Sequence, residues 1–358
     1  MRRFSRDGLL ELVRAFCRAT GSEGDEPELV ARHLVEANLA GHDSHGIGML
    51  PDYMRGIEGG MLVPNRHAEV LADFGAVLVL DGGRGYGQVI ADEAMRLGIA
   101  KARKQGAAVV GLRNSAHVGR VGHWAERCAA KGFASVHFVN VIDRVPLVAT
   151  FGGSDARLGT NPFCAGLPGG GGGEPAALLD MATSRIAFGK VRVAMNKGVP
   201  VPPGSLIDGE GRPTDDPNIM FPAPRGALMA FGEHKGSGLA IVCELFAGAL
   251  TGGATLQPGT PRMGGILNNM LSVIIDPGAL GERGAIAAEV EALKRWVKDS
   301  PPAPGFDEVL VPGEPEQRNR AERSANGIPV DDGTWGGIVG VGESIGVDAG
   351  AVAGPPVG

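Results

Sequence analysis

The stretch that most restricts the possible folds is residues 76–104, where an apolar run ending at Leu80 leads into Asp81-Gly82-Gly83-Arg84-Gly85-Tyr86-Gly87 and then into helical periodicity. Strand, glycine turn and helix in succession commit this part of the chain to an α/β arrangement. The same succession builds the pyrophosphate cradle of dinucleotide-binding domains, but that cradle needs G-x-G-x-x-G and an acidic residue after the next strand. Here glycines 83, 85 and 87 give G-x-G-x-G, and the next strand-like run, 107–112, ends in Arg113-Asn114. The turn therefore reads as a tight strand-to-helix connection, and a bound dinucleotide would have to be held by other means.

Upstream, Leu9, Leu12, Val13 and Phe16, then Leu29, Val30, Leu34 and Val35, recur at three and four residues and predict two amphipathic helices within 5–40. The second delivers Gly41-His42-Asp43-Ser44-His45-Gly46. Downstream, strands are expected at 134–141, 178–181 and 270–275, with helices at 122–130 and 285–297. Residues 199–226, rich in Pro and Gly, read as an extended arm. Residues 236–248 read as a buried, glycine-spaced helix, and 298–315 as a loop. No fixed-period repeat is present, which argues against a solenoid.

Several functional classes are excluded early. A net charge of −6 with acids and bases interspersed offers no basic field for nucleic acid. No run of 18 apolar residues occurs, so no membrane span is expected. Cys17, Cys128, Cys164 and Cys243 are scattered and no export signal is evident, which points to a reduced, cytoplasmic protein.

Four segments carry candidate chemistry. Asp43-Ser44-His45-Gly46 sets an imidazole beside a hydroxyl and a carboxylate, as a general acid/base needs, although Asp43 or Ser44 would serve equally as a helix cap. Arg113 to Arg120 follows a strand, with His117, Arg113 and Arg120 able to meet an anion. Asp180-Met181-Ala182-Thr183-Ser184 closes a strand with groups suited to ribose hydroxyls or to a cap. Glu233-His234-Lys235-Gly236 opens a helix where backbone N–H groups and Lys235 would suit a phosphate, or simply a capped start. His42, His45, His117 and His123 also permit a metal site, and with it a metal-dependent lyase or hydrolase.

Taken in order, GHDSHGIGMLPDYMRGIEGG, RNSAHVGRVGHWAE, FGGSDARLGTNPF, LLDMATSRIAFGKVRVA with KGVPVPPGSLID, GEHKGSGLAIVCEL and LVPGEPE resemble the malate/L-lactate dehydrogenase-like family. That family includes ureidoglycolate, sulfolactate and diketogulonate dehydrogenases and piperideine-carboxylate reductases. SHGIGMLP and GVPVPPG resemble its bacterial hydroxycarboxylate dehydrogenase B type. The resemblance implies a non-Rossmann α/β fold, in which a mixed, largely antiparallel sheet binds NAD or NADP beside a helical N-terminal part. It implies a homodimer and hydride transfer to or from a small 2-oxo or 2-hydroxy acid. Residues 1–75 would form the helical part, 76–284 the cofactor-binding domain, 285–340 a segment packing back on the N-terminal part, and 341–358 a flexible tail.

By motif position, the resemblance makes His45 the proton donor, with Ser44 supporting it and His117 beside the substrate. Cofactor contacts would fall at Asn140, Asp180, Met181, Ala182, Thr183, Ser184, His234, Lys235, Gly313 and Glu314. Thr160 and Lys190 would lie near the substrate. Many relatives carry an arginine where Met49 stands, so the substrate carboxylate must be anchored differently, with Arg55, Arg120 or Arg185 as candidates. Met49 would also make the pocket more apolar, favouring a bulkier, even aromatic, 2-oxo acid. The imine-reducing branch has aspartate where Lys190 stands, which argues for a 2-oxo acid over a cyclic imine.

Overall fold

A computed structural model describes residues 2–169 and 173–357. The amphipathic N-terminal stretch folds as α1 (Arg6–Ala19) and α2 (Glu26–Leu39), preceded by β1 (Arg2–Phe4) and followed by α3 (Leu50–Glu58). Next come β2 (Glu69–Phe74), β3 (Val77–Asp81), α4 (Gly87–Gln105), β4 (Ala107–Ala116), α5 (Gly122–Ala129) and β5 (Ala134–Ile142). Short strands β6 (Val148–Ala149) and β7 (Ala156–Leu158) precede β8 (Phe163–Pro168), β9 (Pro175–Met181) and α6 (Phe188–Lys197). The remainder comprises β10 (Leu206–Ile207), β11 (Pro213–Thr214), β12 (Ala227–Leu228), α7 (His234–Cys243), β13 (Leu267–Ile275), α8 (Arg283–Lys298), α9 (Glu314–Asn326), β14 (Ile328–Val330), α10 (Asp332–Ser344) and α11 (Ala349–Ala353).

Among the described residues the main sheet runs β2-β3-β4-β13-β5-β8-β9. Only β3 and β4 pair in parallel, so the sheet is mixed and largely antiparallel, as the resemblance implied. Its core joins Leu80, Leu112, Met270 and Ile274 to Ile90, Met95 and Trp124 of the covering helices α4 and α5. A smaller sheet, β11-β10-β12-β6-β7, packs on α6 through Val148, Leu206, Leu228 and Val191. A third core joins α1 and α2 to the C-terminal helices, with β1 paired antiparallel to β14.

The glycine turn is a packing device. A Cβ on Gly87 would lie 2.2 Å from the His117 carbonyl oxygen, and one on Gly82 would lie 3.0 Å from Ser115 Cα. These glycines let the start of α4 press against the end of β4.

Four expectations are corrected. The expected frayed tail beyond residue 340 carries the end of α10 and then α11, where Ala349 and Ala353 are buried in the N-terminal core. The loop expected to 315 ends at α9, which starts at Glu314. The 199–226 arm is extended but not free, since Leu206 and Met220 are buried in the core of the smaller sheet. The glycine-spaced helix, α7 with a π-helical turn at Glu244–Ala249, leaves Ile241, Val242, Leu245 and Phe246 exposed.

Candidate active site

The His45 turn begins where α2 stops. Gly41 adopts a left-handed φ of +89°, and a Cβ there would strike the Asn319 side chain at 2.4 Å. Asp43–His45 then forms a single 3-10 turn with no side-chain cap. Neither Asp43 nor Ser44 is therefore a cap. Buried Asn38 instead ties both ends of the turn, donating to Asp43 Oδ1 (2.7 Å) and accepting from the Ile47 amide (2.8 Å). Gly46 is needed for this clamp, because its Cβ would lie 2.1 Å from Asn38 Oδ1. The turn is also gripped by α9, through His42 to Glu316 (2.9 Å) and Arg323 to Asp43.

His45 Nδ1 meets Ser44 Oγ at 3.0 Å, and its ring stacks on His117 with centroids 5.5 Å apart and planes 22° apart. Burial lowers the pKa of His45 to about 4, helped by the nearby positive charge of His42 and Arg120. Burial also pushes His117 well below the usual histidine range, with His45 and Arg144 adding to the effect.

His117 follows the end of β4, and its Nδ1 lies 3.0 Å from the Tyr53 hydroxyl. Gln88 Nε2 donates to that hydroxyl (2.7 Å) and to the His117 carbonyl (3.3 Å). A carbonyl only accepts, which fixes the Gln88 amide with its nitrogen toward Tyr53. The Tyr53 proton is then directed at His117 Nδ1, so the neutral His117 ring carries its own proton on Nε2.

Two cavities lie nearby, one of them against His117. A cleft of about 400 Å³ is lined by Met181, Ala182, Ser184, Arg185, Lys190 and Ser205, among others. The His45 turn lies close by, since Gly189, which precedes lining residue Lys190, would place a Cβ 3.4 Å from Ser44 Cβ. A pocket of about 210 Å³ is lined by His117, Tyr53, Asp52, Arg55, Arg144, Met61, Leu62, Ile266 and neighbouring residues.

The residues singled out from the sequence are thus partly brought together and partly dispersed. Met181, Ala182 and Ser184 line the larger cleft, where Lys190, expected near the substrate, also lies. Arg55 lines the smaller pocket. Asn140, expected at the cofactor, is fully buried and consumed by Glu244, the Ala254 carbonyl and Asn269. Arg120, expected at the substrate, is buried and ion-paired with Glu126, with Asp180 at 4.0 Å. Asp180 accepts from the Gly122 amide (2.7 Å) at the start of α5, and Thr183 donates to the Thr160 carbonyl (2.9 Å). His234 and Lys235 are exposed at the start of α7, with His234 against Phe151. Gly313 packs on Leu178, and Glu314 pairs with Lys298 (2.7 Å). Met49 is buried in the N-terminal core, so Met61, Leu62 and Ile266 supply the pocket's apolar wall instead. Tyr53, Gln88 and Arg144 went unnoticed in the sequence. Tyr53 lies eight residues after His45 within the quoted motif, but nothing local marks Gln88 or Arg144.

Among the described residues no three His, Cys, Asp or Glu side chains converge as metal ligands. His42 pairs with Glu316 and His123 packs on His33 and Trp124, so the four histidines considered as ligands do not meet at one point, and nothing among the described residues supports the metal-dependent alternative.

Comparison with known proteins agrees with this architecture. The malate/L-lactate dehydrogenase family model matches residues 4–339. Hydroxycarboxylate dehydrogenase B of Escherichia coli (strain K12) is 50% identical over 350 residues, covering 96% of this chain and 95% of that protein. An L-lactate dehydrogenase of Cupriavidus necator is 42% identical, covering 94% of this chain and 96% of that protein. The solved structure of sulfolactate dehydrogenase from Methanocaldococcus jannaschii superimposes with a TM-score of 0.86 at 30% identity, covering 97% of this chain and 98% of that one. With its mixed sheet, its paired His45 and His117 and a sequence match from residue 4 to residue 339, the chain belongs to the malate/L-lactate dehydrogenase family of oxidoreductases.

Proposed function

We propose that the protein moves a hydride between NAD or NADP and C2 of a small 2-hydroxy or 2-oxo acid, with His45 exchanging the proton on the substrate oxygen. The observation that carries this reading is the stacked His45–His117 pair, which lines the smaller pocket through His117 and whose neighbour Ser44 packs on Gly189, next in the chain to Lys190 of the larger cleft. A pocket at His117 and a cleft whose Lys190 follows Gly189, the residue packed on Ser44, suit a reaction in which two bound molecules react while a proton is handled between them.

The larger cleft suits a nicotinamide cofactor. Met181, Ala182, Ser184 and Lys190 would hold it, and Ser205, which lines the cleft, has a buried hydroxyl with no partner among the described residues. When bound, that cofactor supplies the hydride acceptor or donor. Ser44 Oγ accepts from His45 Nδ1–H, which leaves the Nε2 lone pair to take the hydroxyl proton of a 2-hydroxy acid. His117, protonated on Nε2, donates a hydrogen bond to the substrate. In the direction of reduction His45 must first gain a proton, which an incoming carboxylate favours.

The test is His45→Gln, assayed with NADH and NADPH against a panel of 2-oxo acids. Turnover should fall by roughly 100- to 10,000-fold while the Kd of the reduced cofactor stays within a few fold. A variant with full turnover would end the assignment.

The same reading includes a homodimer, because Ile241, Val242, Leu245, Phe246 and Leu250 form an exposed apolar face suited to a second copy. Sedimentation equilibrium tests it. It also includes the cytoplasm, since all four cysteines are free and buried, as a reducing compartment allows.

A further inference from the structure

Resting on that reading, we propose that Arg144 anchors the substrate's C1 carboxylate in the pocket beside His117, and that the pocket selects monocarboxylic 2-oxo acids with apolar side chains.

The three arginines put forward from the sequence are otherwise engaged or elsewhere. The Arg120 side chain is 1% exposed and paired with Glu126. Arg185 lines the other cleft. Arg55 reaches the right pocket, but its side chain is 66% exposed and its charge is met by Asp52. Arg144 lines the same pocket and contacts Asp52 through one nitrogen only, Nη2 to Oδ1 at 3.3 Å. Its remaining N–H groups meet no acceptor among the described residues, and its charge acts on His117. A guanidinium held from one side with free donors on the other is the arrangement that captures a carboxylate.

The backbone at this point is built to hold that position. Asp143 is buried and left-handed, with φ +68°. Its carboxylate accepts the amides of Met263, Gly264 (3.3 Å) and Gly265 (3.0 Å). Gly264 and Gly265 are part of the pocket wall, so one buried carboxylate fixes both Arg144 and the surface facing it. A non-glycine residue held in this region by three amides is the kind of strain found at ligand sites.

Charge then sets selectivity. Arg55 and Arg144 against Asp52 leave one net positive charge, which matches one carboxylate. A second substrate carboxylate would meet only Arg55, already neutralised, or the apolar wall of Met61, Leu62 and Ile266.

The experiment compares wild type, Arg144→Lys and Arg144→Gln for kcat and KM with 2-oxobutyrate, phenylpyruvate and oxaloacetate. It also measures the Kd of oxamate by calorimetry, with whichever reduced cofactor the wild type uses at saturation. Arg144→Gln should raise KM for the monocarboxylic acids and the Kd of oxamate by about 100-fold, with the cofactor Kd unchanged. Arg144→Lys should recover part of the loss, and wild type should prefer 2-oxobutyrate or phenylpyruvate to oxaloacetate. Unchanged oxamate affinity in Arg144→Gln, or a preference for oxaloacetate, overturns the inference while leaving the dehydrogenase reading intact. Absence of turnover by wild type with every 2-oxo acid and both cofactors refutes that reading instead.

Discussion

Arg323, on α9, holds the carboxylate of Asp43 through two hydrogen bonds of 2.6 and 3.1 Å, across a separation of 280 residues in sequence. The turn that carries His45 is thereby fixed by the far end of the chain. Asn38 alone would otherwise hold Asp43, and a single amide restrains a carboxylate less than a forked guanidinium does.

Replacing Arg323 by alanine should therefore lower kcat about 10-fold or more with little change in cofactor affinity, and cost roughly 1–3 kcal/mol of stability. Arg323→Lys should restore much of the stability but less of kcat, since one ammonium cannot reproduce the fork. Steady-state kinetics with thermal melts of the three proteins decide the matter. Equal kcat in all three would show that the turn does not need Arg323.

Gly46→Ala attacks the same turn from within. The added methyl carbon would sit 2.1 Å from Asn38 Oδ1 and force apart the clamp that binds Asp43 and the Ile47 amide. A loss of about 1–3 kcal/mol is expected from such crowding, together with a kcat decrease larger than the stability change explains. Denaturant unfolding alongside kinetics measures both.

Gly87→Ala separates a packing turn from a phosphate cradle. Its Cβ would press on the His117 carbonyl at 2.2 Å, so kcat should fall and KM for the 2-oxo acid should rise. The cofactor Kd should stay within a few fold. A cofactor Kd raised 100-fold would instead mean that the glycine turn holds the dinucleotide after all.

The pH dependence of catalysis follows from the lowered pKa of His45, about 4. The neutral ring accepts protons, so oxidation of the 2-hydroxy acid should hold its kcat/KM down to about pH 5 and lose it near pH 4. Reduction needs the protonated ring, and its rate should rise about tenfold for each pH unit of acidification above that value. His45→Gln should flatten both profiles.

Stability should fall on the acid side. Burial holds His123 and His137 at about 3 in the fold, whereas an unfolded histidine titrates near ~6.5. Between these values the unfolded chain binds protons that the folded chain refuses, so stability is intact above about pH 6.5 and declines as pH falls toward 3. His137 is satisfied by Ser272 (2.8 Å) and Ser135 (2.9 Å). His137→Gln should therefore lower Tm at neutral pH yet make its fall between pH 6.5 and 4 shallower. An equal slope in both proteins would count against the effect.

Much of the fold could be read from neighbouring residues. Periods of three and four gave α1 and α2, and apolar runs gave β3, β4, β5 and β13, because main-chain geometry imposes these repeats locally. The spacing of glycines 83, 85 and 87 argued against a phosphate cradle, and the close packing of Gly82 and Gly87 on the end of β4 agrees with a packing turn. His45, Ser44 and His117 stood out because side chains of complementary chemistry sit close together in the chain or within motifs.

Tertiary structure alone decided the rest. Asn140 and Arg120 have the right chemistry for binding, but both are buried away from the two cavities, where Asn140 bonds Glu244 and Arg120 pairs with Glu126. Arg144 has no local mark, and becomes a candidate anchor only because Asp143 ties it to residues 263–265 and Asp52 meets it from α3. The tail expected to be flexible is held because the small residues Ala349 and Ala353 are buried in the core that α1 helps to form. Local periodicity records which way a side chain points along its own element. Which distant partner it meets there depends on how whole elements pack, and no short window of sequence contains that information.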